Sequence, residues 1–293
     1  MTHKSGFVNI IGNPNVGKST IMNILVGEKI SIVTSKAQTT RHRILGILND
    51  EDYQIVYSDT PGILRPHYKM QEAMMGFVRT ALDDADIILY VTDVVETIDK
   101  NIEYIEKVNR STVPVLVIIN KIDLTNPAAL DELAQKWRDM MPNAEIIPVS
   151  AIKNFNIDFI FKRILNLIPE GPAYYDKDAF TDKTERFFVS EIIREKIFLN
   201  YKKEIPYSVE VGIEEFKEEE AIIRIKAVIM VSRETQKGII IGKGGEALKK
   251  TATKARLDAE KFFGKKVYLE IFVKVEKDWR DSDKLLSQFG YNQ

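Results

Sequence analysis

Four short stretches of the chain carry residue types that could hold a nucleoside triphosphate and cleave it. The first, Gly12-Asn13-Pro14-Asn15-Val16-Gly17-Lys18-Ser19, fits G-x-x-x-x-G-K-[ST] at every fixed position. Its glycines let the backbone turn tightly enough for N–H groups to surround a β-phosphate. The helix that starts around Thr20 directs the positive end of its dipole at the same anion. Lys18 is placed to bridge the β- and γ-phosphates and Ser19 to put its hydroxyl on Mg²⁺, while Asn13, Asn15, Val16, Gly17 and Thr20 complete the cradle. The second stretch, Asp59-Thr60-Pro61-Gly62, lies 40 residues after Ser19. There a carboxylate can hold a water of the metal shell, and the Gly62 N–H can sense a γ-phosphate. The third, Asn120-Lys121-Ile122-Asp123, suits a guanine, because the Asp123 carboxylate can accept from both N1–H and the exocyclic amine. Adenine offers neither donor there, so GTP is favoured over ATP. The fourth, Ser150-Ala151 with Ile152 beside it, can support the base edge through backbone N–H groups. D-T-P-G and N-K-x-D are ordinary turn sequences in isolation; downstream of a phosphate loop they become evidence.

These residues must be held by elements that end at one place. Apolar, β-branched runs at Phe7 to Ile11, Tyr53 to Ser58, Asp86 to Asp93, Val113 to Asn120 and Glu145 to Val149 read as strands, each just ahead of a motif or loop. Helical stretches follow at Thr20 to Leu25, Met70 to Leu82, Ile102 to Val108, Leu130 to Met140 and Ile157 to Leu167. Arg43 to Asn49 and Tyr53 to Ser58 flank the turn Asp50-Glu51-Asp52 and predict one antiparallel hairpin. The alternation predicts an α/β fold, a doubly wound and mostly parallel sheet with ligands at the carboxyl ends of its strands.

The 293 residues suggest two domains, and 44% hydrophobic residues are ample for a core in each. Cysteine is absent, which excludes disulfides, thiolate metal sites and a cysteine nucleophile. No apolar run approaches the ~20 residues that span a bilayer. Residues Met1 to Ser5 lead straight into the first strand without a signal-peptide core, so a cytoplasmic location is expected.

At Pro169-Glu170-Gly171-Pro172 the alternation stops. The expected division is residues 1–168 as the nucleotide domain, 169–182 as a linker and 183–293 as an α+β domain. The latter reads helix, strand, strand, helix, helix, strand and a short tail. Ile241-Gly242-Lys243-Gly244-Gly245 joins its second and third helices. That order with a G-x-x-G loop matches the type II KH pattern, in which small residues let a nucleic-acid backbone approach and Lys243 adds charge. The whole chain has a net charge of -1, which conceals 15 Lys and Arg against 7 Asp and Glu between Ala221 and Arg280. The basic stretch from Lys249 to Leu257 partly fits a membrane-surface helix, but its small apolar face is better used as core.

The loop Gly12 to Ser19, together with Gln38-Thr39-Thr40-Arg41 and the KH pattern, resembles the Era family of GTPases along the whole chain. The resemblance implies a P-loop GTPase domain followed by a type II KH domain, binding GTP or GDP with Mg²⁺. It implies GTP hydrolysis and the binding of single-stranded ribosomal RNA in assembly of the small (30S) ribosomal subunit. It also implies a monomer that associates peripherally with the cytoplasmic face of the inner membrane. A switch threonine closes on Mg²⁺ in that family; here it is Thr39 or Thr40, with Thr40 favoured. Ser19, Thr40 and Asp59 are then the metal set, and Lys18, Thr40 and Gly62 the catalytic one. Ile63 stands where many signalling GTPases carry a water-orienting glutamine, so the switch backbone, the metal and a monovalent cation must serve instead. In related GTPases an asparagine placed like Asn15 helps to hold K⁺. A reading of another class is a GTP-dependent switch whose output is a protein partner; the basic glycine loop speaks against it.

Overall fold

The computed structural model describes residues 3–98 and 100–291. Two compact units divide the chain between Asp182 and Lys183. In the first, strands β1 (Lys4–Gly12), β2 (Ile44–Asn49), β3 (Tyr53–Asp59), β4 (Ile87–Asp93), β5 (Val115–Asn120) and β6 (Glu145–Pro148) form one sheet in the order β2-β3-β1-β4-β5-β6. The β2–β3 hairpin is antiparallel and the other pairs are parallel. Helices α1 (Lys18–Val26), α2 (Lys69–Asp83), α3 (Ile102–Asn109), α4 (Pro127–Met140) and α5 (Ile157–Leu167) alternate with them. β4 and β5 are buried at every position, as strands covered by helices on both faces must be. The expected α/β architecture is the one observed.

Strand register sets the site. Asp59 pairs with Ile10, Gly12 with Val91 and Asp93 with Asn120, so the carboxyl ends of β1, β3, β4 and β5 finish at nearly one level. The chain leaves β1 for β3 on one side and β4 on the other. The phosphate loop therefore opens at the topological switch point.

Residues 169–182, expected as a linker, group with the first unit and are tied down along it. Ile47 donates its N–H to Phe180 O at 2.9 Å, the Thr181 hydroxyl donates to Leu45 O at 2.6 Å, and Asp182 accepts the Leu45 N–H at 3.0 Å. Gln54 Oε1 accepts the N–H groups of Tyr174 and Tyr175 at 2.7 and 2.9 Å. An aperiodic sequence thus pairs with β2 through one backbone carbonyl and two polar side chains, which leave no hydropathy signature.

The second unit runs α6 (Glu185–Asn200), β7 (Val209–Glu218), β8 (Ile222–Val231), α7 (Glu234–Ile241), α8 (Glu246–Phe263) and β9 (Lys266–Val275). β7 is antiparallel to β8, and β9 lies parallel on its other side. Ile193 and Ile197 of α6, Ile225 and Ile229 of β8, and Ala255 and Ala259 of α8 share one core. Thr251, Ala255 and Ala259 recur every fourth residue on the buried side of α8, and their small side chains admit a close approach. The end of the chain departs from the plain tail expected. It forms a 3-10 turn at Trp279–Asp281 and a helix, α9 (Asp283–Gln288), with Trp279, Leu286 and Tyr291 buried. The Trp279 indole donates to Ser208 O at 3.3 Å and the Tyr291 hydroxyl to Glu210 at 2.7 Å. At six residues α9 is shorter than two helical turns, too short to show a periodic pattern. No helix among the described residues is long and apolar enough to cross a membrane.

Candidate functional site

The phosphate loop begins where β1 ends and closes at Gly17, whose φ of 102° and ψ of 20° cap α1 in the left-handed region. A Cβ there would stand 2.2 Å from Asn120 Nδ2, so glycine is required by backbone and neighbour alike. A cleft of about 420 Å³ opens over this loop. Asn15, Gly17, Lys18, Ser19, Thr20, Thr40, Gly62, Asn120, Lys121, Asp123, Ala151 and Ile152 all stand on its wall. Four motifs separated by up to 140 residues thus share one cavity of ligand size.

At the phosphate end Lys18 is buried, and its ammonium donates to Gly12 O and Asn13 O at 3.0 and 2.9 Å. Burial pushes its pKa down to about 8, against the pull of Asp59 and Glu96. A desolvated lysine held by carbonyls gains strongly from an incoming phosphate. Beside it, the Ser19 hydroxyl donates to Asp59 Oδ2 at 2.6 Å and lies 2.9 Å from Thr40 Oγ1, which donates to the same carboxylate oxygen at 3.2 Å. Three hard oxygens converge within hydrogen-bond reach, a donor set suited to Mg²⁺. The other carboxylate oxygen, Asp59 Oδ1, is buried without a hydrogen-bond partner. Burial also raises the Asp59 pKa, opposed by Lys18 and by the Ser19 hydroxyl. A buried orphan oxygen beside two hydroxyls fits a cation or its water. Of the two candidate threonines, Thr40 stands in this cluster. The Thr39 hydroxyl bonds Thr34 Oγ1 and Lys36 O, both at 2.6 Å.

The base end is built by the loops after β5 and β6. Asn120 is 3% exposed and acts as a strut: its amide donates to Val16 O at 2.8 Å and accepts the Ala151 N–H at 3.1 Å. Lys121, left-handed at φ 61°, donates to Asn15 O at 2.7 Å and to Asp93 Oδ2 at 2.5 Å. Asp123 accepts from the Ser150 hydroxyl at 2.5 Å, which fixes the carboxylate plane and leaves acceptor positions for a ligand. Leu124 and Ile152, 64% and 81% exposed, offer apolar surface at the rim. Asn13, Val16, Asp59 and Ser150 do not line the cleft. The Asn13 amide is bound to Glu96 and Asn101, and Val16 is buried with its carbonyl on Asn120. Asp93, Glu96, Asn101 and Leu124 were not legible as site residues. The only signal for the first two is their place at the end of an apolar strand and just beyond it.

The second unit presents the glycine loop. Gly242 has φ 72° and ψ 177°, and a Cβ on it would meet Ala247 Cβ at 2.7 Å. Gly244, at φ 59°, has nothing within 4 Å of where its Cβ would be. One glycine packs the loop onto α8, while the other leaves backbone open to a partner. Lys243 is exposed on the same turn, Ile239 is half exposed on α7, and Ile241 and Gly245 are partly buried. The loop is suited to a sugar-phosphate backbone.

The family described as 50S ribosome-binding GTPase matches residues 7–121, and the KH domain family matches residues 204–280. The GTPase Era of Staphylococcus haemolyticus is 45% identical over 291 residues, covering 99% of this chain and 97% of that protein. GTPase ERA1, chloroplastic, of Zea mays is 46% identical over 297 residues, covering 99% of this chain and 71% of that protein. A crystal structure of Era in complex with MgGDPNP and nucleotides 1506–1542 of 16S ribosomal RNA superposes with a TM-score of 0.95 at 40% identity, covering 99% of this chain and 100% of that one. A variant of Aquifex aeolicus Era bound to GDP and AlF4⁻ superposes at 0.94 with 39% identity, covering 99% and 100%.

Proposed function

The chain belongs to the Era family of GTPases, and from that premise we propose that it couples GTP hydrolysis to the binding of single-stranded 16S ribosomal RNA in small-subunit assembly. The observation that carries this reading is a single cleft lined by Ser19 and Thr40, both bonded to the buried Asp59, at one end and by Asp123 at the other. Lys18 binds the phosphate chain, Asp123 orients the base, and the Gly62 N–H is the donor available to the γ-phosphate. Mg²⁺ held by Ser19, Thr40 and, through water, Asp59 would offset the charge that develops on the phosphates. Lys243 and the glycine backbone take the RNA. The family likeness extends the proposal to a cytoplasmic monomer in peripheral contact with the inner membrane. As the test, purified protein should hydrolyse GTP and leave ATP intact, and RNA crosslinked to it in cells should map to 16S ribosomal RNA. ATP turnover equal to GTP turnover would overturn the base assignment.

Two further results are expected at the same site. Thr40→Ala should lower GTP turnover by on the order of tenfold and raise the Mg²⁺ concentration needed, while Thr39→Ala stays within about twofold. A metal titration of both variants checks this, and equal effects would return the ligand to the undecided pair. Asn15 is exposed in the cleft at φ 66°, with its carbonyl taken by Lys121. We propose its side chain as a K⁺ ligand. Exchanging Na⁺ for K⁺ should then speed hydrolysis by about threefold or more, from a basal rate at or below ~10⁻² s⁻¹. Asn15→Gly, which keeps the left-handed backbone, should erase the difference between the two salts.

A further inference from the structure

Beside Lys18, a run of polar groups links the loop after β3 to the phosphate loop, and of the motif residues it uses only Gly12 and Asn13. Ile63, buried at 1% exposure, donates its N–H to Gly12 O at 3.1 Å. Its carbonyl accepts from Asn101 Nδ2 at 3.3 Å. The same Asn101 nitrogen donates to Asn13 Oδ1 at 2.6 Å, and Asn13 Nδ2 donates to Glu96 Oε2 at 2.7 Å. Glu96 is fixed in turn by the Thr92 hydroxyl on Oε1 at 2.8 Å and by its own N–H on Asp93 Oδ1 at 2.9 Å.

The chemistry of the partners allows one polarity for this relay. An ionised carboxylate only accepts, so Asn13 must turn its NH₂ to Glu96 and its oxygen to Asn101. Asn101 must then donate, and its two hydrogens serve Asn13 and the Ile63 carbonyl. Reversing either amide would oppose two acceptors or two donors in this part-buried run. The residue at 101 also sits at φ 59° and ψ 44°, a left-handed turn that asparagine tolerates better than most side chains.

We infer that Asn101, oriented through Asn13 by Glu96, is a positioning residue that latches the Ile63 backbone, beside Gly62, onto the phosphate loop. Where other GTPases orient the reaction with a glutamine side chain after this glycine, Ile63 has only backbone to offer, and the latch holds that backbone on both sides. The Gly62 N–H is then presented at a fixed place, and a triphosphate benefits more than a diphosphate because only it reaches that donor. This inference rests on the GTPase reading above and deepens it.

The test uses Asn101→Gly in the full chain, which deletes the amide while keeping the left-handed backbone free of strain. Loss of one hydrogen bond to the switch should lower kcat about fivefold with KM little changed, and lower the affinity ratio of a non-hydrolysable GTP analogue to GDP by a similar factor. GDP affinity itself should stay within about twofold. Asn101→Asp, equal in size but with only acceptors to set against Asn13 Oδ1 and the Ile63 carbonyl, should lower kcat and the affinity ratio by at least as much and serves in its place if that one does not fold. Glu96→Ala, which takes away the acceptor that orients Asn13, should resemble Asn101→Gly. An unchanged affinity ratio and kcat would overturn the latch. So would equal losses of GDP and analogue affinity, the mark of a group that merely braces the loop. Wild-type protein failing to hydrolyse GTP in the same assay would instead overturn the function proposed for the whole cleft, and the latch with it.

Discussion

Replacing Lys243 and Gly244 together by aspartate should reduce affinity for single-stranded RNA by on the order of a hundredfold or more. Lys243 is exposed, and nothing stands within 4 Å of a Cβ at Gly244, so both carboxylates would project into the space a phosphate chain must occupy. The local charge changes by three, and each lost or repelled phosphate contact weakens binding steeply at low salt. Gly244 has φ 59°, which aspartate adopts at modest cost, so the loop itself should still form. The first unit has its own core, and GDP affinity should therefore stay within about twofold. Fluorescence anisotropy of a labelled RNA checks the first point and a nucleotide titration the second. Retained RNA affinity would remove this loop from the interface.

Asp123→Asn should shift base preference from guanine toward xanthine. The carboxylate can accept from two guanine donors, and an amide substitutes a donor for one acceptor. The loss for GTP should be about 1.5 to 3 kcal/mol, or roughly 10- to 150-fold in affinity. Xanthine presents an oxygen where guanine has its amine, so the new amide finds a partner there. Ser150 is the present partner of Asp123, and a hydroxyl can donate or accept, so the substitution leaves no unmet group in the apo protein. Competition between the two nucleotides reads the result, and an unaltered guanine preference would place the base elsewhere.

The motifs were legible because each sits where an apolar strand ends, and parallel strands bring such ends together. Asp59, Asn120 and Ser150 are far apart in sequence, but the first two end β3 and β5 and the third follows β6. What could not be read depends on direction or on contact at a distance. Thr39 and Thr40 are identical in type, and only the folded backbone decides which hydroxyl faces Ser19 and Asp59. Asn13 lies 83 residues from Glu96 and 88 from Asn101, and no periodic pattern records a hydrogen bond between loops. The folded tail escaped for a related reason: Trp279 and Tyr291 are buried one at a time, in segments too short for an amphipathic repeat.

The strip from Ala179 to Asp182 lies on β2, the outermost strand at one side of the first sheet. Outermost strands carry unpaired N–H and C=O groups, and these invite another chain to add on. By taking the Ile47 N–H and the Leu45 carbonyl, the strip shields that margin from self-association. A fragment ending at Ile168 would keep all six strands yet lose this guard. Its failure would show as precipitation rather than unfolding, and a soluble fragment of the first unit should therefore extend to Asp182.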